Sequence, residues 1–127
     1  SYRHAIVSAE QITLGQFIAL LERRPADDGV RFDFGYFSPS GVSSYRGYYE
    51  DLAIEYDREA NPKVSDVLSM LRGAIGKTFT GWKGGDYVMS EDTPLWVANS
   101  GDAGGTAVVG LAECDWQTVI ATAFLER

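Results

Sequence analysis

Two helical periodicities stand out along the chain, set among short stretches in which apolar and polar residues alternate. Leu14, Phe17, Ile18 and Leu21 recur at three- and four-residue spacing, which puts their side chains on one helix face. Thr13 and Gln16 have the spacing of a capping box, where each side chain satisfies a backbone N–H of the first turn. Arg23 and Arg24 suit the negative end of that helix, and Pro25 followed by Asp27-Asp28-Gly29 stops it. Val64, Val67, Leu68, Leu71 and Ile75 repeat the helical spacing after the Asn61-Pro62 turn, and Gly76 is placed to cap the C-terminus.

Period-two alternation marks the strands. Val30, Phe32, Phe34 and Tyr36 alternate with Arg31, Asp33, Gly35 and Phe37, which predicts one strand over residues 30–37, broken by Ser38-Pro39-Ser40-Gly41. Further strands are expected at residues 5–7, 52–56, 86–89 and 95–98. Residues 106–112 and 118–124 are expected to pair as a terminal hairpin, the β-branched Thr118, Val119, Ile120 and Thr122 favouring strand over helix. The glycine-rich stretches 79–85 and 99–105 read as loops. Helices and strands do not alternate regularly, which argues against a doubly wound fold. The expectation is one α+β domain over residues 1–127: a mainly antiparallel sheet with two amphipathic helices packed on it.

Composition narrows the classes of partner. The 127 residues are 45% hydrophobic and 13% aromatic, enough to fill a single core. Eighteen acidic against 11 basic residues give a net charge of −7, and no run of Lys or Arg occurs. General nucleic-acid binding and attachment to an anionic membrane surface both need a basic surface and are not expected. A small anionic ligand stays compatible, because two or three local Arg or Lys side chains suffice for it. The single cysteine, Cys114, excludes an internal disulfide and fits a reducing cytoplasm. No apolar stretch reaches the roughly 20 residues of a membrane span, and Ser1-Tyr2-Arg3-His4 has no signal-peptide pattern.

Two stretches are rich in ligand-type groups. In Ser44-Tyr45-Arg46-Gly47-Tyr48-Tyr49, aromatic faces can stack on a base and the Arg fork can hold a phosphate through two hydrogen bonds. In Thr80-Gly81-Trp82-Lys83-Gly84-Gly85, consecutive glycines leave N–H groups to face an anion beside an aromatic and a cation. Together with Trp96 and Asn99, these supply the candidate ligand-binding set: Ser44, Tyr45, Arg46, Tyr48, Tyr49, Thr80, Trp82, Lys83, Gly84, Trp96 and Asn99. Each stretch has a plainer alternative. Tyrosines at a strand end can cover the core edge, which composition alone favours for the first. A helix-to-strand loop with a partly buried Trp would account equally well for the second.

Catalytic sets are sparse. His4 is the only histidine, so a Ser-His-Asp or Cys-His arrangement would have to use it near the chain start. Gly73-Ala74-Ile75-Gly76-Lys77-Thr78 fails as a phosphate-binding P-loop: two residues separate its glycines where the motif needs four, and it ends a helix instead of opening one. The acidic pairs Asp27-Asp28, Glu50-Asp51 and Glu91-Asp92 read as solvated surface more readily than as a general acid–base pair. No enzyme activity and no cofactor is expected, and a magnesium site built from scattered carboxylates stays open.

The strings Tyr36-Phe37-Ser38-Pro39, Ser44-Tyr45-Arg46-Gly47-Tyr48-Tyr49-Glu50-Asp51-Leu52-Ala53, Phe79-Thr80-Gly81-Trp82-Lys83-Gly84-Gly85 and Leu95-Trp96-Val97-Ala98 resemble those of a family of small proteins encoded by tailed bacteriophages. The resemblance covers roughly residues 30–112. Small phage proteins of this size include anti-defence sponges, which bind the nucleotide second messengers of bacterial immune systems such as Thoeris and CBASS without cleaving them. By that analogy the resemblance implies a homo-oligomeric protein of the infected host's cytoplasm that sequesters such a signal, a cyclic ADP-ribose type ahead of a cyclic nucleotide. No sponge motif carries over residue by residue, so the ligand candidates rest on their own chemistry. The alternatives are a phage enzyme that degrades the signal and a protein–protein inhibitor of a host factor.

Overall fold

A computed structural model describes residues 5–7, 10–46, 48–80, 85–99, 104–114 and 117–125 of the protein, with the backbone alone at 5–7, 48 and 49. The elements follow in the order β1 (Ala5–Val7), α1 (Leu14–Leu21), β2 (Gly29–Phe32), β3 (Ser38–Tyr45), β4 (Tyr48–Asp57), α2 (Val64–Ala74), β5 (Thr78–Thr80), β6 (Asp86–Val88), β7 (Leu95–Val97), β8 (Thr106–Cys114) and β9 (Gln117–Phe124). The fold is α+β, with a mainly antiparallel sheet and two helices on it.

Both helices form where the periodicity placed them. Thr13 Oγ1 accepts from the Gln16 backbone N–H and Gln16 Oε1 accepts from the Thr13 N–H, so the expected capping box is present. Leu14, Phe17, Ile18 and Leu21 are buried, as are Val64, Val67, Leu68 and Leu71 of α2. α2 stops one residue earlier than its pattern ran. Ala74 takes the buried position, while Ile75 is extended and exposed and Gly76 carries the left-handed turn at φ +77°.

The large sheet has strand order β2-β9-β8-β7-β4-β3. β2 runs parallel to β9 and β4 parallel to β7, and the other pairings are antiparallel. β9 takes one edge of β8 along its length. β7 and β1 share the other edge, β7 at Ala107 and β1 at Gly110 to Ala112. A bulge at Val109 lets Val108 and Leu111 both face the helices, three residues apart. The helix-side core joins these to Phe32, Leu52, Ile54, Leu95 and Ile120. The opposite face buries Tyr45, Ala53, Trp96, Ala98 and Ala107 as a second cluster.

Three strand expectations change. The alternation over residues 30–37 is not one strand: β2 ends at Phe32, and Phe34-Gly35-Tyr36-Phe37 turns, with the Phe37 N–H donating to Phe34 O at 3.2 Å. Gly35 and Tyr36 lie at φ +59° and +58°, the pair of left-handed residues that defines a type I′ hairpin turn. A Cβ on Gly35 would also meet the Phe37 ring at 2.6 Å. Ser38-Pro39-Ser40-Gly41 does not break the chain but opens β3, which tolerates Pro39 because β3 ends the strand order and is irregular between Pro39 and Gly41. Phe79 and Thr80, read as the start of a loop, form β5 with Thr78 and pair with β6 in a separate hairpin that lies against β3 and β4.

The capping box is open to a direct test. Thr13→Ala is expected to lower unfolding free energy by about 1 kcal/mol, read from urea denaturation, because one first-turn N–H loses its side-chain acceptor.

Candidate functional site

The sheet's two end strands meet. In a flat sheet β2 and β3 would stand about 24 Å apart, five interstrand spacings. Here Phe32 N–H donates to Phe37 O at 2.8 Å across the turn that joins them. An aromatic cluster fills the closure. Phe34 stacks on Phe32 with centroids 5.4 Å apart, and Tyr56 of β4 sets its ring edge-on to Phe34 at 5.8 Å and Phe37 at 4.8 Å. Asp33 anchors the turn to β9, accepting from Thr122 N–H at 2.9 Å and Thr122 Oγ1–H at 2.6 Å. The segment after β4 seals the outer edge of β2, where Val30 N–H donates to Pro62 O.

Where these pieces join, a groove of about 450 Å³ opens. That falls within the range of small-molecule sites, roughly 300–1,000 Å³. Its walls are Gly29 to Arg31 of β2, Tyr36 of the turn, Ser38 of β3, Arg58 to Asn61 and Gln117 of β9. Arg31 lies on the strand face opposite Val30 and Phe32, which are in the core, and donates from Nε to Gln117 Oε1 at 2.9 Å. Arg58 donates from Nε to Gly35 O at 3.1 Å, with its guanidinium 4.6 Å above the Phe37 ring. Neither arginine forms an ion pair with a described residue. Tyr36 stands 87% exposed at the rim. An L-residue at its φ costs about 1–2 kcal/mol, so an exposed tyrosine there is strained without a packing return.

The candidates named from the sequence are placed differently. Tyr45 and Trp96 are 3% and 1% exposed and stack on each other at 4.4 Å, nearly parallel. Tyr45 Oη accepts from Gly105 N–H, and Trp96 Nε1–H donates to Asp51 Oδ2 at 2.8 Å. Their rings are taken up by the second core, so they are corrected from ligand contacts to packing residues. Ser44 sits in β3 opposite Leu52, and Arg46 is exposed where the β3–β4 hairpin turns. The length of β3, roughly 25 Å, separates Arg46 from the groove. Asn99 lies at the groove end of β4 with its Oδ1 accepting from Tyr56 N–H. Thr80 is exposed in β5, its hydroxyl donating to Asp86 Oδ1. Phe79 beside it packs on the helix-side core, the face away from Tyr45. Trp82, Lys83 and Gly84, and the side chains of Tyr48 and Tyr49, lie outside the described residues.

Two acidic residues expected at the surface are structural instead. Asp51 is 3% exposed beneath Trp96. Asp28 accepts from Arg24 at 2.8 Å and from the buried Thr118 hydroxyl. Among the described residues no group of three His, Cys, Asp or Glu is arranged to hold a metal ion, and no helix is long and apolar enough to cross a membrane. Sequence reasoning missed Arg31, Arg58 and Gln117. Arg31 was counted as the polar partner in an alternating strand, and the other two carried no motif.

Trp96→Phe keeps most of the ring and removes the N–H that Asp51 accepts. It is expected to cost about 1–3 kcal/mol of stability in chemical denaturation and to leave any ligand affinity of the groove unchanged. Searches of protein-family models, curated proteins and solved structures returned no match to the chain.

Proposed function

We propose that the protein is a capture module that binds a small anionic, nucleotide-like molecule in the Arg31–Tyr36–Arg58 groove. The observation that carries this reading is the pair of guanidiniums, held in place by a side-chain amide and backbone carbonyls and paired with no carboxylate among the described residues, in a chain with a net charge of −7. Guanidinium forks suit phosphate oxygens, and the exposed Tyr36 ring offers a face for a base. In the setting that the phage resemblance implies, the ligand is a nucleotide-derived immune signal, a cyclic ADP-ribose type ahead of a cyclic nucleotide, and its sequestration needs affinity without chemistry. A groove shared between copies of the chain in a homo-oligomer is part of the same proposal.

Isothermal titration with ADP-ribose, cyclic ADP-ribose and a cyclic dinucleotide tests the reading. Arg58→Ala is expected to weaken binding by about 1.5–3 kcal/mol, the scale of a hydrogen bond to a charged group, while Arg46→Ala at the far end of β3 leaves it unchanged. Equal affinity in wild type and Arg58→Ala removes the groove from consideration. Ligand recovered intact after denaturing the complex supports capture, and a new product supports the enzyme alternative. Tyr36→Asn separates binding from folding. It is expected to raise stability by about 1 kcal/mol, because Asn tolerates the left-handed conformation, and to weaken binding.

A further inference from the structure

Hydrogen bonds inside the groove fix which of its groups donate. Arg31 spends Nε on Gln117 Oε1 at 2.9 Å and Nη1 on Phe32 O at 3.1 Å. A guanidinium has no acceptor atom. Gln117 therefore turns its carbonyl toward Arg31 and directs its amide N–H₂ elsewhere. Arg58 spends Nε on Gly35 O and rests its flat face on Phe37. Arg31 Nη2, both Nη groups of Arg58 and Nε2 of Gln117 are donor atoms of groove-lining residues that these bonds do not use. Glu59 is the one carboxylate among the lining residues.

Resting on the capture reading, we infer that the groove selects phosphate, and a diphosphate ahead of a dicarboxylate. We further infer that Gln117 sets this choice by being an amide. Each phosphate group presents several acceptor oxygens in a tetrahedral array, which can answer donors arriving from two arginines and an amide together. A planar carboxylate presents two. Gln117 holds Arg31 in orientation without cancelling its charge. A carboxylate at the same position would accept the same Nε–H bond and compete with the ligand for Arg31. Gln117 is thus a positioning residue for Arg31 and a donor in its own right.

The test titrates the full chain with inorganic pyrophosphate and, at matched ionic strength, with malonate. Wild type is expected to bind pyrophosphate saturably and malonate about tenfold more weakly or worse, a difference of 1.4 kcal/mol. Gln117→Glu is expected to weaken pyrophosphate binding by about tenfold or more while the melting temperature holds or rises, since the new carboxylate pairs with Arg31. A residue with only a structural role would move both quantities together. Gln117→Met, which removes the amide and adds no charge, is expected to weaken binding severalfold and serves if Gln117→Glu does not fold. Equal affinities for malonate and pyrophosphate, or Gln117 variants that bind like wild type, overturn this inference while ADP-ribose binding still depends on Arg58. A wild-type chain that binds neither pyrophosphate nor ADP-ribose overturns the capture reading itself.

Discussion

A five-residue connection, residues 33–37, joins the two strands that stand at opposite ends of the sheet order, and the Phe32–Phe37 backbone hydrogen bond closes it. Much else follows from that constraint. A sheet whose ends must meet has to curl, and the right-handed twist of its strands supplies the tendency. Curling brings β2 and the far end of β4 together on the helix side, where Phe32, Phe34, Phe37 and Tyr56 exclude water from the junction. It also leaves the polar faces of the same segments converging on the other side of the junction. Arg31, Arg58 and Gln117 come from β2, the segment just after β4, and β9, far apart in the chain, and meet only because the ends do.

Local patterns were readable in the sequence and the closure was not. The amphipathic faces of α1 and α2 depend on spacing within a few residues, and so does the Thr13–Gln16 cap. Such signals survive without knowledge of the fold. The terminal hairpin was legible because the β-branched Thr118, Val119, Ile120 and Thr122 favour strand. The turn at Gly35-Tyr36 was not legible because the apolar alternation of β2 runs on through Phe34 and Tyr36, and Tyr is a poor sign of a left-handed residue. Ser38-Pro39-Ser40-Gly41 has the composition of a breaker, yet an edge strand with an irregular register accommodates it. Tyr45 and Trp96 illustrate a different limit. Ligand-type chemistry and core-type chemistry use the same aromatic residues, and only burial tells them apart.

The groove arginines differ from Arg24 and Arg72 in their partners. Arg24 is paired with Asp28 and lies near Glu113, and Arg72 is paired with Glu22, as expected when acidic residues outnumber basic ones. Arg31 and Arg58 instead spend their bonds on carbonyl oxygens and one amide. Neutral acceptors orient a guanidinium while leaving its charge uncancelled, and that is the arrangement an anion site requires. A protein with an overall negative field gains nothing from long-range steering of an anion. On the proposed capture reading, affinity has to come from contacts made at short range, where Arg31 and Arg58 have no ion-pair partner among the described residues.

Preorganisation gives those contacts their leverage. An arginine carries about 2 kcal/mol of rotamer entropy, and fixing it on binding subtracts from affinity. Here the cost is met during folding, because the Nε of each arginine is already tied down and the Arg58 guanidinium already lies on an aromatic face. The strain at Tyr36 belongs to the same economy. A Gly or Asn would make the I′ turn at lower cost, so the exposed tyrosine adds strain there without adding to the core. On the proposed reading the turn both closes the sheet and presents an aromatic face beside Arg31 and Arg58, and the strain at Tyr36 is what combining the two costs in stability.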